Sequence, residues 1–436
     1  MKLLFVTVEP PWPLTGGASI RAYHFMRLQA QRHEVHLACY ASVRQELEMR
    51  EEFASLGCTV HTVPPPAARS SWQRLLGFVT SSLPDLAQRY ADLSFGQMVV
   101  HLLSSQEFDL VHVVGLEAAC AMHPWEEYGS LQLGRAQPAS AERSVAPLIR
   151  PGIVLDELNA EYRMQERVFQ VERSSPARWP GALYSLVQSS RLRRYEERLC
   201  CRVRGVIAVS EADNAALKRL CPSLRSEVIP NGVDTQRYQP LDHLVSSQRI
   251  LPHLSEDTPV MLFVGTMDYR PNADAVAWFV QQVLPLIVQE MPRVHLLIVG
   301  RKPPAAVRQL ASQHVTVTGA VYDDLPYFQR ANVFVLPMRY GGGTRLKLLQ
   351  ALACGLPIVS TATGVEGVAV RQGEQAVIAD RPDEFAQQVL RLLNDRQHAH
   401  ELGVSARALA LQYDWEKMAP RLEAFNQELV ASPLPV

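Results

Sequence analysis

"GGGTRLKLLQALACGLPIVST", residues 341–361, joins a glycine turn, a helical apolar run and a short apolar run. Its three glycines are typical of a flexible turn, and the apolar run from Leu346 to Ala353 has helical spacing. "PIVST" (357–361) then has the short apolar pattern of a buried strand. The stretch therefore predicts a turn, a helix and a strand in direct succession, which is the repeating unit of an α/β fold.

The same alternation of short apolar runs and helical segments extends over the whole chain. Strands are predicted at 2–8, 33–40, 58–64, 108–115 and 151–158, and again at 205–210, 259–265, 294–300, 315–319, 331–337, 357–361 and 374–380. Strands separated in this way imply parallel sheets covered by helices on both faces. With 436 residues, the chain exceeds the size of one hydrophobic core. We expect two doubly wound domains, 1–204 and 205–412, and a helix within 413–436 that packs on either domain.

The composition narrows the classes of function. The 43 Lys and Arg residues nearly balance the 44 Asp and Glu residues, so there is no general argument for nucleic-acid binding. Seven scattered cysteines without a CxxC pair indicate neither a disulfide framework nor a zinc site. No run is long enough to span a membrane, and the apolar amino terminus is too short for a signal peptide. We expect a cytoplasmic protein.

Two further segments are distinguished by their polar composition. Residues 133–147 are small, polar and proline-bearing, and indicate a surface loop. The charge-rich helical region 161–204 is either a solvated face with local ion pairs or a basic edge for a phosphate-bearing lipid carrier. The sequence does not separate these two interpretations, and peripheral contact with the inner face of a membrane stays open.

Glycines and cations follow the ends of the second-domain strands. Open parallel sheets bind ligands at this edge. A neutral protein that collects positive charge along one edge is expected to bind an anion there. The strand-end glycines are Gly265, Gly300 and Gly319, and the cations are Arg270, Arg301, Lys302, Arg339, Arg345 and Lys347.

The glycine turn at 341–343 supplies the most specific part of this edge. Gly343 leaves the backbone unhindered, and Thr344 is a suitable helix cap, so the N–H groups around Thr344 to Leu346 can point at phosphate oxygens. Arg345 and Lys347 would add countercharge. A tight turn with solvated cations is the alternative. The order of residues is not that of a Walker loop, so a diphosphate binder of another kind is favoured.

The first domain has weaker signals. Gly16 and Gly17 follow the first strand, with Arg21 on the next helix, and suit either an anion or a loop that needs flexibility. The dinucleotide-binding fingerprint is absent. His112, alone in an apolar strand, is either a core residue or a side chain that approaches a binding cleft.

The chain resembles the retaining glycosyltransferases of family 4, which have the GT-B fold. The resemblance rests on stretches that span nearly the whole chain, and "GGGTRLK" with "ALACGLPIVST" is similar to a branch of bacterial sugar transferases of exopolysaccharide synthesis. The other matching stretches are "GGASIRAYHF" (16–25), "IAVSEAD" (207–213), "IPNGVDTQRY" (229–238), "LFVGTMDYRPNADAVAWF" (262–279) and "VTVTGAVYDDLPYFQRANVFVLP" (315–337).

This resemblance implies two Rossmann-like domains facing across a cleft, with a UDP- or GDP-sugar as donor and a saccharide or lipid-linked acceptor. It implies that the donor phosphate helps to deprotonate the acceptor, so that no protein nucleophile is required. No acidic D-x-D pattern stands at a plausible strand end, so a required metal is not indicated, and we expect no further cofactor. The catalytic candidates are Arg270, Arg345 and Lys347. The donor-binding candidates are Gly16, Gly17, Arg21, Gly265, Arg301, Gly319, Gly343, Thr344, Leu346 and Gln350.

The chain departs from the family at positions expected to matter. Gly342 and Gln350 replace a pair of glutamates, although an amide at 350 can still hydrogen bond to ribose hydroxyls. In "LDELNAEY" (155–162), Leu158 replaces a histidine expected near the transferred sugar, and Asn159 and Glu161 remain as cleft candidates. The alternatives are therefore a catalytically weak or inactive nucleotide-sugar-binding protein and, with less support, a nucleotide-sugar epimerase.

Overall fold

The computed structural model describes residues 1–14, 16–90, 93–122, 151–173, 176, 179–240 and 254–432. The surface loop predicted at 133–147 lies outside the described residues. The chain divides into two compact units, one formed by Met1–Ile229 with Ala419–Val436 and the other by Pro230–Met418. None of the described helices combines the length and the apolar character needed to cross a bilayer.

The first unit is built on a seven-stranded parallel sheet with the order β3-β2-β1-β4-β5-β6-β7. Its central strands are apolar and fully buried, as expected of a sheet covered on both faces. The strands are β1 (Lys2–Thr7), β2 (Glu34–Tyr40), β3 (Thr59–Val63), β4 (Leu110–Val114), β5 (Gly152–Glu157), β6 (Gly205–Ala208) and β7 (Ser226–Val228).

Helices of the first unit connect these strands. Two of them, α2 and α3, begin with capping boxes in which Ser42 pairs with Gln45 and Ser70 with Gln73. The helices are α1 (Gly17–Ala30), α2 (Val43–Ser55), α3 (Ser71–Thr80), α4 (Asp85–Arg89), α5 (Leu93–Ser105), α6 (Leu116–Ala121), α7 (Glu161–Glu172), α8 (Trp179–Cys200) and α9 (Glu211–Leu220).

The second unit has a six-stranded parallel sheet with the order β10-β9-β8-β11-β12-β13. The strands are β8 (Val260–Val264), β9 (His295–Val299), β10 (Val315–Gly319), β11 (Val333–Leu336), β12 (Ile358–Ser360) and β13 (Val377–Ile378). The helices are α10 (Arg270–Trp278), α11 (Leu284–Glu290), α12 (Ala305–Arg308), α13 (Leu325–Arg330), α14 (Leu346–Ala353), α15 (Pro382–Asn394) and α16 (Arg396–Ala410), with a π-helical turn at Phe279–Val283. The last helix, α17 (Trp415–Ala431), begins in this unit and ends in the first. The two doubly wound parallel sheets expected from the sequence are confirmed.

The boundary between the units differs from the predicted one. β6 was assigned to the second domain, but it pairs with β5 in the first sheet, and β7 follows it there. The first unit consequently reaches Ile229 and does not end at residue 204. An apolar strand pattern does not encode the sheet that the strand joins, which explains the difference.

The last helix contributes to the first unit. Residues from Ala419 onward belong to that unit. A Cβ added at Gly205 would lie 2.9 Å from side-chain atoms of Phe425 and Leu429, so the helix packs tightly on the start of β6. The missing side chain at 205 is what permits this close contact.

Candidate diphosphate site

The glycine turn and the start of α14 have the geometry expected of an anion site. Gly341 and Gly343 have φ values of 145° and 66°, which favour glycine over other residues. Within the described residues, no side chain caps α14 at Arg345. The first-turn N–H groups of a helix have no intrahelical acceptor and carry its positive dipole. The start of α14, at Leu346, can therefore offer amide donors to a phosphate.

Arg345 stabilises the glycine turn through hydrogen bonds to backbone carbonyls. Its guanidinium donates to the carbonyl oxygens of Gly342 and Gly343, and to that of Thr363 at 3.2 Å. A Cβ at Gly341 would lie 2.7 Å from Nη2 of Arg345, so a glycine is needed there too. Arg345 is only 8% exposed. These hydrogen bonds give Arg345 a structural role in holding the loop, which the sequence did not indicate.

Lys347 is a buried cation at the same place. Its Nζ donates to Oδ1 of Asn272 at 2.7 Å and lies 4.3 Å from the ring centroid of Phe263. Burial, followed by repulsion from Arg345, lowers the pKa of Lys347 well below its usual range. Among the described residues, no carboxylate forms an ion pair with it. A buried ammonium without a counter-charge favours binding of an anion.

The backbones of β8, β9 and β10 lie close together at their strand-end glycines, Gly265, Gly300 and Gly319. The N–H of Gly265 donates to Val299, and the N–H of Gly300 donates to the carbonyl of Gly319. A Cβ at Gly265 would lie 2.4 Å from Nζ of Lys347, which places the end of β8 against the cation. A Cβ at Gly300 would lie 1.8 Å from the carbonyl oxygen of Gly265. At 300 the backbone itself therefore requires glycine, whereas at 265 an added Cβ would displace the ends of two side chains.

Of the remaining cations at this edge, Arg339 and Lys302 lie beside carboxylates. Arg339 makes a two-pronged ion pair with Asp274, so its charge is neutralised there. Lys302 lies 3.7 Å from a carboxylate oxygen of Asp268. Arg270 is exposed at the first position of α10. Arg301 is half-buried, with Nε at 3.4 Å from the hydroxyl of Thr266.

Gln350 belongs to a buried hydrogen-bond chain. Its Nε2 donates to the hydroxyl of Tyr238 at 2.7 Å, and that hydroxyl donates to Asp324 at 2.8 Å. Burial raises the pKa of both Tyr238 and Asp324. The amide donor of Gln350 is therefore engaged within the protein, and Tyr238 is a neighbour that the sequence analysis missed.

Two asparagines near the site were also missed. Asn272 bridges Lys347 and the backbone, because its Nδ2 donates to the carbonyl of Thr266 at 2.8 Å. Asn231 donates to the carbonyl of Thr344 at 3.0 Å and so fixes the residue before Arg345. Both lie in turn-like stretches, "YRPN" and "IPNGVD", where a polar residue has many local explanations.

In the first unit, Arg21 differs most from its predicted donor-binding role. It is fully buried and forms a two-pronged ion pair with Asp156, at distances of 2.8 and 2.9 Å. Its guanidinium also lies 4.3 Å from the ring centroid of Phe25. Arg21 therefore ties α1 to β5. Gly16 and Gly17 form the start of α1, where Gly16 is the N-cap with extended backbone.

His112 lies in the core of the first unit. It is fully buried on β4 and stacks on Phe5 with ring centroids 4.7 Å apart. Burial lowers the pKa of His112 to about 4, so the imidazole is neutral at physiological pH. The core interpretation of this histidine fits the structure, and the cleft interpretation does not.

Asn159 and Glu161 adjoin a group of buried acids at the carboxyl end of β5. Asn159 donates to Oε1 of Glu161 at 3.1 Å. The carboxylate of Glu196 accepts the N–H groups of Glu161 and Tyr162, at 2.7 and 2.9 Å, and so caps α7. Burial raises the pKa of Glu161 well above its usual range and that of Glu196 to about 8. Glu196 lies in a charge-rich helix, where no local pattern distinguishes it from its acidic neighbours.

Leu158 lies beside Gly115 in the same region. A Cβ at Gly115 would be 3.4 Å from Cδ1 of Leu158 and 2.9 Å from Oε2 of Glu117. An apolar side chain therefore occupies the position between the ends of β4 and β5.

Parts of the chain match family models of glycosyltransferases. Residues 258–395 match the family model of glycosyl transferases group 1, and residues 175–237 match that of glycosyltransferase family 4. A GDP-mannose-dependent alpha-(1-6)-phosphatidylinositol monomannoside mannosyltransferase of Mycobacterium tuberculosis is 29% identical over 221 residues, which are 47% of this chain and 56% of that protein. The chain thus spans little more than half the length of this relative.

Solved structures resemble the chain over nearly its full length. Sucrose-phosphate synthase from Thermosynechococcus elongatus has a TM-score of 0.70 at 17% identity, with 99% of each chain covered. HepE of Anabaena, in complex with UDP and glucose, has a TM-score of 0.66 at 16% identity and covers 97% of this chain and 98% of its own. The likeness concerns the fold, which is that of GT-B glycosyltransferases with two Rossmann-like α/β domains.

Proposed function

We propose that the chain is a retaining glycosyltransferase that transfers a hexose from a UDP- or GDP-sugar to a saccharide or lipid-linked acceptor. The observation that carries the proposal is the buried ammonium of Lys347, which meets the neutral amide of Asn272 at 2.7 Å beside the uncapped start of α14. We name Gly265, Asn272, Thr344, Leu346 and Lys347 the diphosphate site. The similarity to a GDP-mannose-dependent enzyme and to a UDP-bound structure supports both donor classes.

In the proposed mechanism, the protein stabilises the charge that develops on the leaving diphosphate. Lys347 and the amides at the start of α14 supply preorganised donors for the phosphate oxygens. Arg270 and Arg301 extend the positive edge of the same unit. The donor phosphate assists removal of the acceptor proton, so the proposal needs no protein nucleophile and no metal. Asn159 and Glu161 of the first unit are assigned to the acceptor.

A second candidate is a nucleotide-sugar-binding protein with weak or no turnover. It is favoured by Leu158, which fills the end of β5 with an apolar side chain, and by Gln350, whose amide donates to Tyr238. Both features concern the sugar and the ribose. The diphosphate site would be unaffected by them.

The test is a donor panel with the purified full chain. A ligand that binds only the native state must raise the apparent stability, so we expect UDP- or GDP-sugars to raise Tm more than ADP- or CMP-sugars. Release of nucleotide from the same donors then distinguishes an enzyme from a binding protein, and recovery of a different donor sugar would indicate an epimerase. Absence of any shift would contradict both the enzyme and the binding protein.

A further inference from the structure

Helix α3 exposes an apolar stripe. Trp72, Leu75, Leu76 and Val79 are 77%, 52%, 62% and 73% exposed. Their spacing of three and four residues places them on one face of the helix. An amphipathic helix of a globular protein normally buries such a face, and here the apolar face points to solvent.

A second stripe lies on the neighbouring helix α8. Trp179, Leu183 and Leu186 are 60%, 59% and 47% exposed and share one face of its first half. The two helices are joined by Phe78 of α3, which stacks on Tyr184 with ring centroids 5.6 Å apart. We name the seven exposed residues of the two stripes the apolar face: Trp72, Leu75, Leu76, Val79, Trp179, Leu183 and Leu186.

The two helical segments that carry the apolar face have charged residues of one sign. Residues 71–80 and 179–194 contain four arginines and no acidic residue, in a chain whose charges nearly balance. Arg191 donates to the carbonyl of Phe78 at 2.7 Å and so links the helices. Arg193 and Arg194 are exposed and continue the face of α8 beyond Leu186. On these two segments the apolar side chains are thus accompanied by arginines, while Glu166 of α7 lines a pocket with Leu186 and Glu197 follows Arg194 on α8.

We propose that the apolar face docks on the surface of a membrane that contains anionic lipids. Tryptophan and leucine side chains enter the interface between head groups and acyl chains, while flanking arginines meet lipid phosphates. A second copy of the chain fits less well, because a two-fold dimer would bring the same arginines toward one another. The surface lies wholly in the first unit and is independent of the diphosphate site.

Vesicle co-sedimentation of the full chain, without nucleotide sugar, tests this proposal. We expect the protein to pellet with vesicles of equal phosphatidylcholine and phosphatidylglycerol, and much less with phosphatidylcholine alone. The double variant Trp72→Asp and Leu76→Asp should weaken binding about 10-fold or more, because two apolar side chains no longer enter the interface. The matched control is Val43→Asp with Leu47→Asp, two residues of α2 that are 78% and 65% exposed.

The outcomes separate the possible occupants. Arg193→Gln with Arg194→Gln should reduce the preference for anionic vesicles and its dependence on salt. Equal pelleting of the Trp72 and Leu76 variant and the wild type would overturn the proposal, and so would failure of the wild type to pellet. Sedimentation velocity that shows a dimer lost in this variant would also overturn it in favour of a second copy. Loss of donor binding in all proteins would affect only the proposed function.

Discussion

Lys347 donates a hydrogen bond of 2.7 Å from its Nζ to Oδ1 of Asn272, so a buried cation is met by a neutral amide. A carboxylate at position 272 would have neutralised this charge within the fold. The amide instead orients the ammonium and leaves its charge for a ligand. This pairing distinguishes Lys347 from Arg339 on the same edge, whose charge is neutralised by Asp274.

Donor binding should be coupled to proton uptake at Lys347. Burial holds its pKa well below the usual range in the free protein, and an adjacent diphosphate would raise it. We therefore expect UDP or GDP to bind with proton uptake between the pKa of Lys347 in the free protein and its higher pKa in the complex, and affinity to fall as pH rises through this range. Calorimetry in buffers of different ionisation enthalpy measures this uptake. Equal heats in all buffers over this pH range would contradict it.

The same shift predicts how the stability of the free protein depends on pH. The unfolded chain keeps the Lys347 proton to a higher pH than the folded chain does, because burial lowers the folded pKa. Charged Lys347 therefore destabilises the free protein below its folded pKa. This destabilisation is relieved as pH rises from there toward the ordinary lysine range. Urea unfolding of wild type and Lys347→Met across this range should show stabilities that converge.

Gly265→Ala and Gly300→Ala should have different effects although both glycines end adjacent strands. At 265 the new Cβ meets the mobile ends of Lys347 and Asn272, so we expect donor affinity to fall about 10-fold with little loss of stability. At 300 it meets the backbone of Gly265, so we expect destabilisation of about 3 kcal/mol or more. Titration and urea unfolding measure the two effects. Equal loss of stability in both variants would contradict this distinction.

Gln350→Glu should destabilise the second unit in a pH-dependent way. The single proton of the Tyr238 hydroxyl goes to Asp324, so a carboxylate at 350 would face an oxygen with no proton to give. We expect a loss of about 1–3 kcal/mol near neutral pH. The loss should shrink as pH falls, since burial favours the protonated acid at 350. Adding Asp324→Asn should restore stability, and a double variant no more stable than Gln350→Glu would refute the explanation.

Arg21→Met should destabilise the first unit strongly. It leaves Asp156 buried without its partner, for which we expect a loss of about 3–5 kcal/mol. Replacing both residues, as Arg21→Met with Asp156→Leu, should recover much of this loss because no charge is left buried alone. Urea unfolding with a probe in the first unit measures the difference. Full stability of Arg21→Met would reopen a ligand-binding role for this arginine.

The sequence predicted most of the fold because its signals were local. The helix predicted at 346–353 from its apolar periodicity coincides with α14. The position of β6 could not be predicted in this way. β6 pairs with β5 and β7, and a short apolar run does not indicate which strands will lie beside it.

Prediction of the candidate site was limited for a similar reason. Glycines and cations at strand ends were visible because parallel sheets bring these ends together. The roles of Asn272 and Tyr238 depend on hydrogen bonds to residues distant in sequence, at Lys347 and Gln350. Arg21 was misinterpreted because its partner Asp156 lies on another strand, and a buried ion pair leaves no pattern along the chain.

Calorimetric titration of UDP and GDP into the wild type and Lys347→Met tests whether Lys347 binds the diphosphate. We expect the substitution to weaken nucleotide binding about 10- to 100-fold, since it removes a charge-assisted bond to phosphate. The free variant should be at least as stable as the wild type, because an uncompensated buried charge is removed. Lys417→Met, at an exposed position of the same unit, should bind like the wild type. Unchanged affinity in Lys347→Met would contradict the assignment of the diphosphate site.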